Sequence, residues 1–216
     1  MNNRILLLIV PFVLASLAMG CSSTQSSRGS AAPGGQAAAA PNAQAADAPN
    51  AQVAAARPTY TAAPAVGDPK QYQNLQAVIE TGKGSFTIEF FPKEAPKTVA
   101  SFVKLSRDGF YDGLTFHRVE PGFVVQGGDP EGTGGGGPGY TLPAEFNAHK
   151  HVRGAVAMAR TSDPNSAGSQ FYVCLGPAPH LDGQYTVFGQ VTKGMENVDK
   201  LQIGDKMVKV SVVKKP

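Results

Sequence analysis

The sequence predicts a mainly β protein: a closed antiparallel barrel of eight strands capped by two helices, preceded by a signal peptide and a disordered linker. Eight short strand-like segments follow residue 74, and two more segments have the apolar spacing of helices. Glycine and proline, at 25 and 17 of 216 residues, punctuate these segments as in turn-rich β folds. Periodicity alone leaves a sandwich and a barrel equally open, and the strand number favours the barrel.

The folded part begins with a predicted hairpin and a helix. Leu75–Thr81 and Phe86–Phe91 have the pattern of strands and are separated by Gly82-Lys83-Gly84. Pro96 suits the first position of the helix that follows. The apolar stripe of this helix consists of Val99, Phe102 and Val103.

The remaining chain contains six more strand candidates and one short helix. The helix is predicted at Met195–Leu201. The strand candidates are Thr115–Val119, Phe123–Gln126, Gly154–Ala159, Gln170–Leu175, Thr186–Val191 and Met207–Val213.

Residues 1–20 have the pattern of a signal peptide. Arg4 precedes an apolar run that is too short to span a bilayer and ends in small residues. The ending Leu17-Ala18-Met19-Gly20-Cys21 resembles a bacterial lipoprotein signal, which implies cleavage before Cys21 and acylation of its thiol and new amine. Ser22 and Ser23 then favour the outer membrane, facing the periplasm, if the cell is Gram-negative. Ordinary secretion and an uncleaved anchor are the alternatives.

Residues 21–70 are predicted to form a disordered linker behind the lipidated cysteine. They are almost entirely Ala, Pro, Gln, Asn, Ser and Gly, and Ala40–Ala46 recurs with one change as Ala48–Ala54. Such a segment buries too little apolar surface to offset the entropy lost on ordering. The folded domain is accordingly predicted to cover residues 71–216, extracytoplasmic and held to the membrane by the N-terminal lipid.

The charge and cysteine content exclude several classes of protein. The net charge is +3, of which residues 1–70 supply +2 (4 basic minus 2 acidic side chains), so the rest is nearly neutral. A neutral body lacks the basic surface that binds phosphate backbones, and nucleic acid is therefore not an expected partner. Two cysteines, Cys21 and Cys174, exclude a disulfide framework and a four-thiolate zinc site. Cys174 is predicted to be a small buried residue of a strand.

Five ordered motifs identify a family. They begin with Phe116–Asp129, which reads FHRVEPGFVVQGGD, and with Gly132–Gly135. They continue with Ala157–Thr161 (AMART), Gly168–Tyr172 (GSQFY) and Leu181–Gly189 (LDGQYTVFG). Their order and spacing over residues 74–213 resemble the cyclophilin family of peptidyl-prolyl cis/trans isomerases. The resemblance implies an eight-stranded barrel with two helices that acts without cofactor or metal on unfolded or flexible proline-containing polypeptides, as a monomer.

The chemistry of the reaction explains what such a site must contain. Rotation about an X–Pro amide is slow because the nitrogen lone pair is delocalised into the carbonyl, with a barrier of about 20 kcal/mol. The twisted amide localises that lone pair on nitrogen, so a donor aimed there favours the transition state over the planar ground state. A guanidinium suits this role because it is planar, permanently charged and rich in donors.

The resemblance assigns a role to eleven residues. Arg118 matches the catalytic arginine, while Gln126 and Gln170 match the amides that orient it and the substrate backbone. The backbone at Ala159 and Arg160 matches the part that grips the peptide. The expected proline pocket consists of Phe123, Val124, Tyr172 and Leu181, and His180 and Tyr185 are also expected to bind substrate.

Four of these residues depart from common family patterns. Tyr172 replaces a phenylalanine and is expected to add a hydroxyl at the floor or rim of the pocket. Arg160 and Tyr185 replace the asparagine and histidine of eukaryotic members. His180 replaces the tryptophan associated with tight cyclosporin binding.

Other interpretations compete with the enzyme. The same pocket could serve a proline-binding module or chaperone without turnover, and a purely structural envelope lipoprotein would suit the linker. His149-Lys150-His151 has a spacing that can chelate a metal, although a solvated loop is the favoured interpretation. The glycine-rich segment 132–139 lacks the Lys-Ser/Thr ending of a phosphate-binding loop.

Overall fold

The computed structural model describes residues 58–216, so the predicted signal peptide, Cys21 and most of the predicted linker lie outside the described residues. No helix in the described part is both long enough and apolar enough to cross a membrane. The strands are β1 (Leu75–Thr81), β2 (Gly84–Phe90), β3 (Phe116–Glu120), β4 (Val124–Gly127), β5 (Ala155–Met158), β6 (Phe171–Cys174), β7 (Val187–Lys193) and β8 (Met207–Lys214). The helices are α1 (Lys70–Gln73), α2 (Pro96–Arg107) and α3 (Met195–Val198), with a 3-10 turn at Pro179–Leu181.

All eight strands form one antiparallel sheet in the order β3-β4-β6-β5-β7-β2-β1-β8. The sheet curls until its two edges meet, where the residues just before β3 contact the start of β8. There Gly113 donates its N–H to the Met207 carbonyl over 2.7 Å, and Met207 donates to Leu114 over 2.8 Å. A bridge between Thr115 and Lys206 lies beside these bonds. The predicted mainly β, eight-stranded architecture is confirmed.

The β1–β2 hairpin forms where the sequence predicts it. Its turn begins at Thr81, whose hydroxyl donates to the Gly84 carbonyl over 2.7 Å and accepts from the Lys83 N–H over 3.1 Å. Gly84 has a φ of 113°, a conformation that glycine adopts without the steric cost of a Cβ. The first strand matches its predicted bounds, while β2 begins two residues earlier than predicted because the turn is tighter.

Helix α2 begins at Pro96 as predicted, and a distant carboxylate caps it. The N–H groups of Lys97 and Thr98 donate to the two oxygens of Glu145 over 2.9 and 2.8 Å. The Thr98 hydroxyl adds a third bond of 2.8 Å. A carboxylate at a helix N-terminus satisfies free N–H groups and opposes the positive end of the helix dipole.

The interior of the barrel is aromatic and centres on Phe102 of α2. Its ring lies 4.9–5.7 Å, centroid to centroid, from four other rings. These rings belong to Phe90, Tyr111, Phe171 and Phe188. The helix therefore closes the barrel by placing its apolar stripe inside.

The folded body reaches further toward the N-terminus than the predicted boundary at residue 71. Tyr60 lies edge-on to Phe110 and Tyr140, at centroid distances of 6.0 and 6.2 Å. Its hydroxyl donates to Asp108 over 3.0 Å, and its N–H donates to the Pro138 carbonyl over 3.3 Å. Burial, followed by the Asp108 carboxylate, raises the pKa of this hydroxyl above its usual range. One aromatic side chain thus ties the end of the Ala/Pro-rich segment to the domain.

We expect Tyr60→Ala to lower the free energy of unfolding by about 2 kcal/mol, because two aromatic contacts and a hydrogen bond to a carboxylate are lost. Tyr60→Phe is the matched control, since it keeps the ring and should cost about 1 kcal/mol or less. Urea unfolding of the two variants and the wild type measures both values. Equal stability of all three proteins would show that residues around Tyr60 do not belong to the folded unit.

Candidate active site

The candidate site is a row of side chains on the outer face of the sheet. The strand register sets Arg118 of β3 opposite Gln126 of β4, and Gln126 opposite Tyr172 of β6. Tyr172 in turn lies opposite Ala157 of β5. Paired residues of neighbouring strands point to the same face, so the register brings three sequence-predicted residues together.

A hydrogen-bonded chain links Arg118 to the glycine-rich loop. Nη1 of Arg118 donates to Oε1 of Gln126 over 3.2 Å, and Nε2 of Gln126 donates to Oε1 of Gln170 over 3.0 Å. Nε2 of Gln170 then donates to the carbonyls of Gly134 and Gly136, each over 2.9 Å. Because arginine only donates and carbonyls only accept, both amides have one possible orientation.

Arg118 is held on its other edge by a residue that the sequence reasoning missed. Its Nε donates to Oε1 of Glu120 over 2.8 Å, and Nη2 lies 2.6 Å from the same oxygen. The arginine side chain is 18% exposed, while its Nη2 atom is buried and has no hydrogen-bond partner. Its central carbon lies 5.9 Å from the ring centroid of Phe123, which places a fixed cation at the edge of an apolar surface.

The apolar surface beside Arg118 is a second cluster, separate from the barrel interior. Phe123 and Ala159 are partly exposed at its border, and the ring of His180 stacks on Phe123 at 5.7 Å. The predicted pocket residues are among its members. Its buried members are Val124, Ala155, Ala157, Tyr172, Cys174, Ala178, Leu181, Tyr185 and Val187. Cys174 is fully buried as predicted, and burial raises the pKa of its thiol to about 12.

Arg160 joins two loops next to Tyr185, a member of this apolar cluster. Its Nε and Nη2 donate to the Gln184 carbonyl over 3.0 and 2.8 Å, and its Nη1 donates to the Thr161 carbonyl over 2.8 Å. Its guanidinium lies 4.5 Å from the ring centroid of Tyr185. The neighbouring Ala159 already donates its N–H to the Gln170 carbonyl over 3.0 Å, which removes that donor from peptide binding.

The Tyr172 hydroxyl faces a buried histidine. Its oxygen lies 3.0 Å from Nε2 of His151, whose Nδ1 lies 3.0 Å from Oδ1 of Asp182. Because a carboxylate only accepts, neutral His151 carries its proton on Nδ1 and accepts a hydrogen bond from the Tyr172 hydroxyl at Nε2. The extra hydroxyl of Tyr172 is therefore bonded behind the apolar surface.

The His-x-His pair lies in a loop, as predicted, but only His149 is partly exposed to solvent. His151 is buried, and the His149 ring stacks on Phe91 at a centroid distance of 3.9 Å. Among residues 58–216, no three His, Cys, Asp or Glu side chains are grouped so that they could hold a metal ion.

The site contains further residues that the sequence did not predict, and only some of them leave a signal in the sequence. Glu120 lies two residues from Arg118 on one strand, and the alternation of strand side chains could have paired them. His151 and Asp182 are 31 residues apart and meet only through loops. The carbonyls of Gly134 and Gly136 carry no side-chain signal at all.

Two histidines whose ring nitrogens are buried predict a decrease in stability below neutral pH. Burial lowers the pKa of His151 and of His117, so below about pH 6.5 the unfolded chain binds protons at these two residues more readily than the folded protein does. The unfolded state then holds more protons, and the free energy of unfolding should fall by about 1 kcal/mol per pH unit from pH 7 to 5. Urea unfolding across this range measures the slope.

His151→Gln tests the assignment, since the slope should drop to about half when one of the two groups is removed. The window excludes Asp182, because hydrogen bonds from the His151 amide and ring, and from Lys150, lower its pKa to about 2. Its contribution is lost only as the pH falls below about 4. A wild type with constant stability between pH 5 and 7 would contradict the prediction.

Comparison with known proteins identifies the family. The family model described as "Cyclophilin type peptidyl-prolyl cis-trans isomerase/CLD" matches residues 76–215. A peptidyl-prolyl cis-trans isomerase of Synechococcus elongatus is 53% identical over 140 residues, which cover 64% of this chain and 96% of the relative. Peptidyl-prolyl cis-trans isomerase B of Bacillus subtilis is 54% identical over 126 residues, covering 57% and 87%.

Solved structures lead to the same family. A cyclophilin type peptidyl-prolyl cis-trans isomerase of Cryptosporidium parvum matches with a TM-score of 0.61 and 29% identity, covering 65% of this chain and 98% of that chain. A structure of the same enzyme in the presence of the dipeptide Ala-Pro matches with a TM-score of 0.60 and 32% identity, covering 65% and 99%. The family model, the relatives and the fold establish that this chain belongs to the cyclophilin-type peptidyl-prolyl cis-trans isomerases.

Proposed function

We propose that Arg118 drives the isomerisation by donating a hydrogen bond to the proline nitrogen as the X–Pro amide twists, with the proline ring held on the apolar cluster beside it. The substrates are unfolded or flexible segments of exported polypeptides, and the enzyme is tethered to the cell envelope by a lipid on Cys21. The observation that carries the mechanism is the fixed guanidinium of Arg118 at 5.9 Å from the Phe123 ring centroid.

The energy required is modest compared with most enzyme reactions. Uncatalysed exchange takes roughly 10–100 s, so turnover in milliseconds needs an acceleration of about 10⁴–10⁵. This corresponds to about 6–7 kcal/mol of preferential binding of the twisted amide. The reaction is a rotation about the amide bond in which no covalent bond is made or broken, so hydrogen-bond donors in fixed positions are sufficient.

The surroundings of Arg118 favour the transition state because they are already oriented. Glu120 and Gln126 hold the guanidinium on two edges before substrate arrives. Gln126 is in turn bonded to Gln170, whose amide is anchored to the loop carbonyls of Gly134 and Gly136. A site that does not reorganise during the reaction keeps the whole electrostatic gain for the transition state.

The apolar cluster supplies ground-state binding. Phe123 and Ala159 are partly exposed, and Val124, Tyr172 and Leu181 lie behind them. A pyrrolidine ring placed there would bury apolar surface next to the Arg118 guanidinium. The site lies on the outside of a closed sheet, so an extended or flexible chain can reach it.

The envelope location rests on the N-terminal sequence. Acylation at both the thiol and the amine of Cys21 would anchor the chain stably, whereas a single acyl chain would not. The Ala/Pro-rich residues that follow would hold the domain away from the lipid surface. Proline isomerisation limits the folding of many chains, and an isomerase at this place would accelerate the folding of exported proteins.

Arg118→Ala should reduce kcat/KM for a proline peptide about 100-fold or more, because the donor to the twisted amide is lost. The affinity for the peptide should change little, since the apolar cluster is intact. Exchange rates by NMR and peptide affinity by titration measure the two effects. Arg153→Ala is the matched control, because it also breaks an arginine–carboxylate pair, with Asp199, outside the site.

Two outcomes would contradict this mechanism. One is an Arg118→Ala protein with wild-type exchange rates. The other is a wild type that binds the peptide without accelerating exchange, which is the behaviour of a proline-binding module.

Mass spectrometry of the mature protein tests the envelope assignment. We expect an N-terminus at Cys21 with acyl groups on its thiol and amine, found in the membrane fraction. Cys21→Ser should release the domain from that fraction while its isomerase activity stays at the wild-type level, because the site lies within residues 118–185. A mature N-terminus at another residue, or an unmodified Cys21, would contradict lipid anchoring.

A further inference from the structure

We infer that Glu120 is a positioning residue for the isomerisation, which fixes the guanidinium of Arg118 in the orientation that meets the substrate. The inference rests on the role proposed for Arg118. It concerns a residue outside the motif positions that were assigned a role.

Two different acceptors form hydrogen bonds with the Arg118 guanidinium, one on each of two edges. Oε1 of Glu120 accepts from Nε over 2.8 Å and lies 2.6 Å from Nη2 without a hydrogen bond to it. Oε1 of Gln126 accepts from Nη1 over 3.2 Å. Contacts on two edges of a planar group define its plane and its rotation, which a single contact cannot do.

Several donors of the guanidinium remain without an acceptor in the protein. Arginine has five N–H groups, and Glu120 and Gln126 engage one each, so three are left. Both N–H groups of Nη2 are among them, on an atom that is buried from solvent. Losing Glu120 would free the Nε edge and let the side chain rotate about the remaining bond to Gln126.

We call the contact of the Glu120 carboxylate with the Arg118 guanidinium the brace. The brace is rigid because both residues lie on the same strand. Glu120 follows Arg118 by two residues in β3, and both side chains point to the outer face. The backbone of each is paired across to β4, at Val124 and Gln126. The distance between the two residues is therefore set by strand geometry rather than by a loop.

Exposure indicates that the brace acts through geometry more than through charge. The Glu120 side chain is 43% exposed and the Arg118 side chain 18%. An ion pair with a solvated carboxylate is weak in free energy. The carboxylate also opposes the positive field of Arg118 at the substrate, so its charge is no direct aid to catalysis. What it supplies is an acceptor in a fixed place.

Two variants of Glu120 separate geometry from charge. Glu120→Gln keeps an acceptor of the same length and removes the charge, and it should lose at most about threefold in kcat. Glu120→Leu removes the acceptor and should lose about tenfold in kcat, since small misplacements of a catalytic group are costly. In both, KM should stay within about twofold, because the apolar cluster is untouched.

Glu89→Leu is the matched control. Glu89 is 45% exposed and pairs with Lys215 at 2.6 Å, so it has the same exposure and type of contact but lies outside the site. Its kcat should equal that of the wild type. A Glu120→Leu protein that matches Glu89→Leu in kcat, or that loses activity through KM alone, would overturn the inference.

A spectroscopic measurement tests the brace independently of activity. The ¹⁵N–¹H signal of the Arg118 Nε–H, assigned by its loss in Arg118→Lys, should be protected from solvent exchange in the wild type and Glu89→Leu and exposed in Glu120→Leu. Unchanged protection in Glu120→Leu would overturn the inference. If Arg118→Ala keeps full activity while this protection depends on Glu120, the proposed role of Arg118 fails and the contact between the two residues stands.

Discussion

The position of every outward-facing site residue depends on the register of β3, β4, β6 and β5. That register sets Arg118 opposite Gln126, Gln126 opposite Tyr172, and Tyr172 opposite Ala157. A slip of one residue would turn the catalytic candidates into the barrel and core residues out to solvent. The aromatic interior opposes such a slip, because its rings have no other place to be buried. Packing inside the barrel therefore determines the chemistry outside it.

The direction of the hydrogen bonds also fixes the orientation of the side chains in this row. The chain of bonds runs from Arg118, which can only donate, through two glutamine amides to the carbonyls of Gly134 and Gly136, which can only accept. Neither amide can flip without breaking bonds at both of its ends. The glycine-rich loop thus serves as the terminal acceptor of an oriented network, and its small residues leave the carbonyls accessible to Gln170.

Two polar side chains next to the apolar cluster, Tyr172 and Arg160, have hydrogen-bond partners within the protein. The Tyr172 hydroxyl is bonded to His151 and, through it, to Asp182, so the cluster presents the ring rather than the hydroxyl. Arg160 directs its donors to the carbonyls of the two loops that it joins. Local hydrogen bonds therefore satisfy the polar groups of Arg160 and Tyr172, two of the residues that depart from common family patterns.

The sequence by itself determined the strands, helix α2 and the residues of the outer row, because strand alternation, the Pro96 start and the motif blocks are local patterns. Only the tertiary structure decided the contacts between residues far apart in the chain. Glu145 caps α2 from 47 residues away, Tyr60 ties the N-terminal segment to Asp108 across 48, and His151 meets Asp182 across 31. Local patterns carry no record of such contacts, since the loops that bring the partners together are positioned by the packing of the whole barrel.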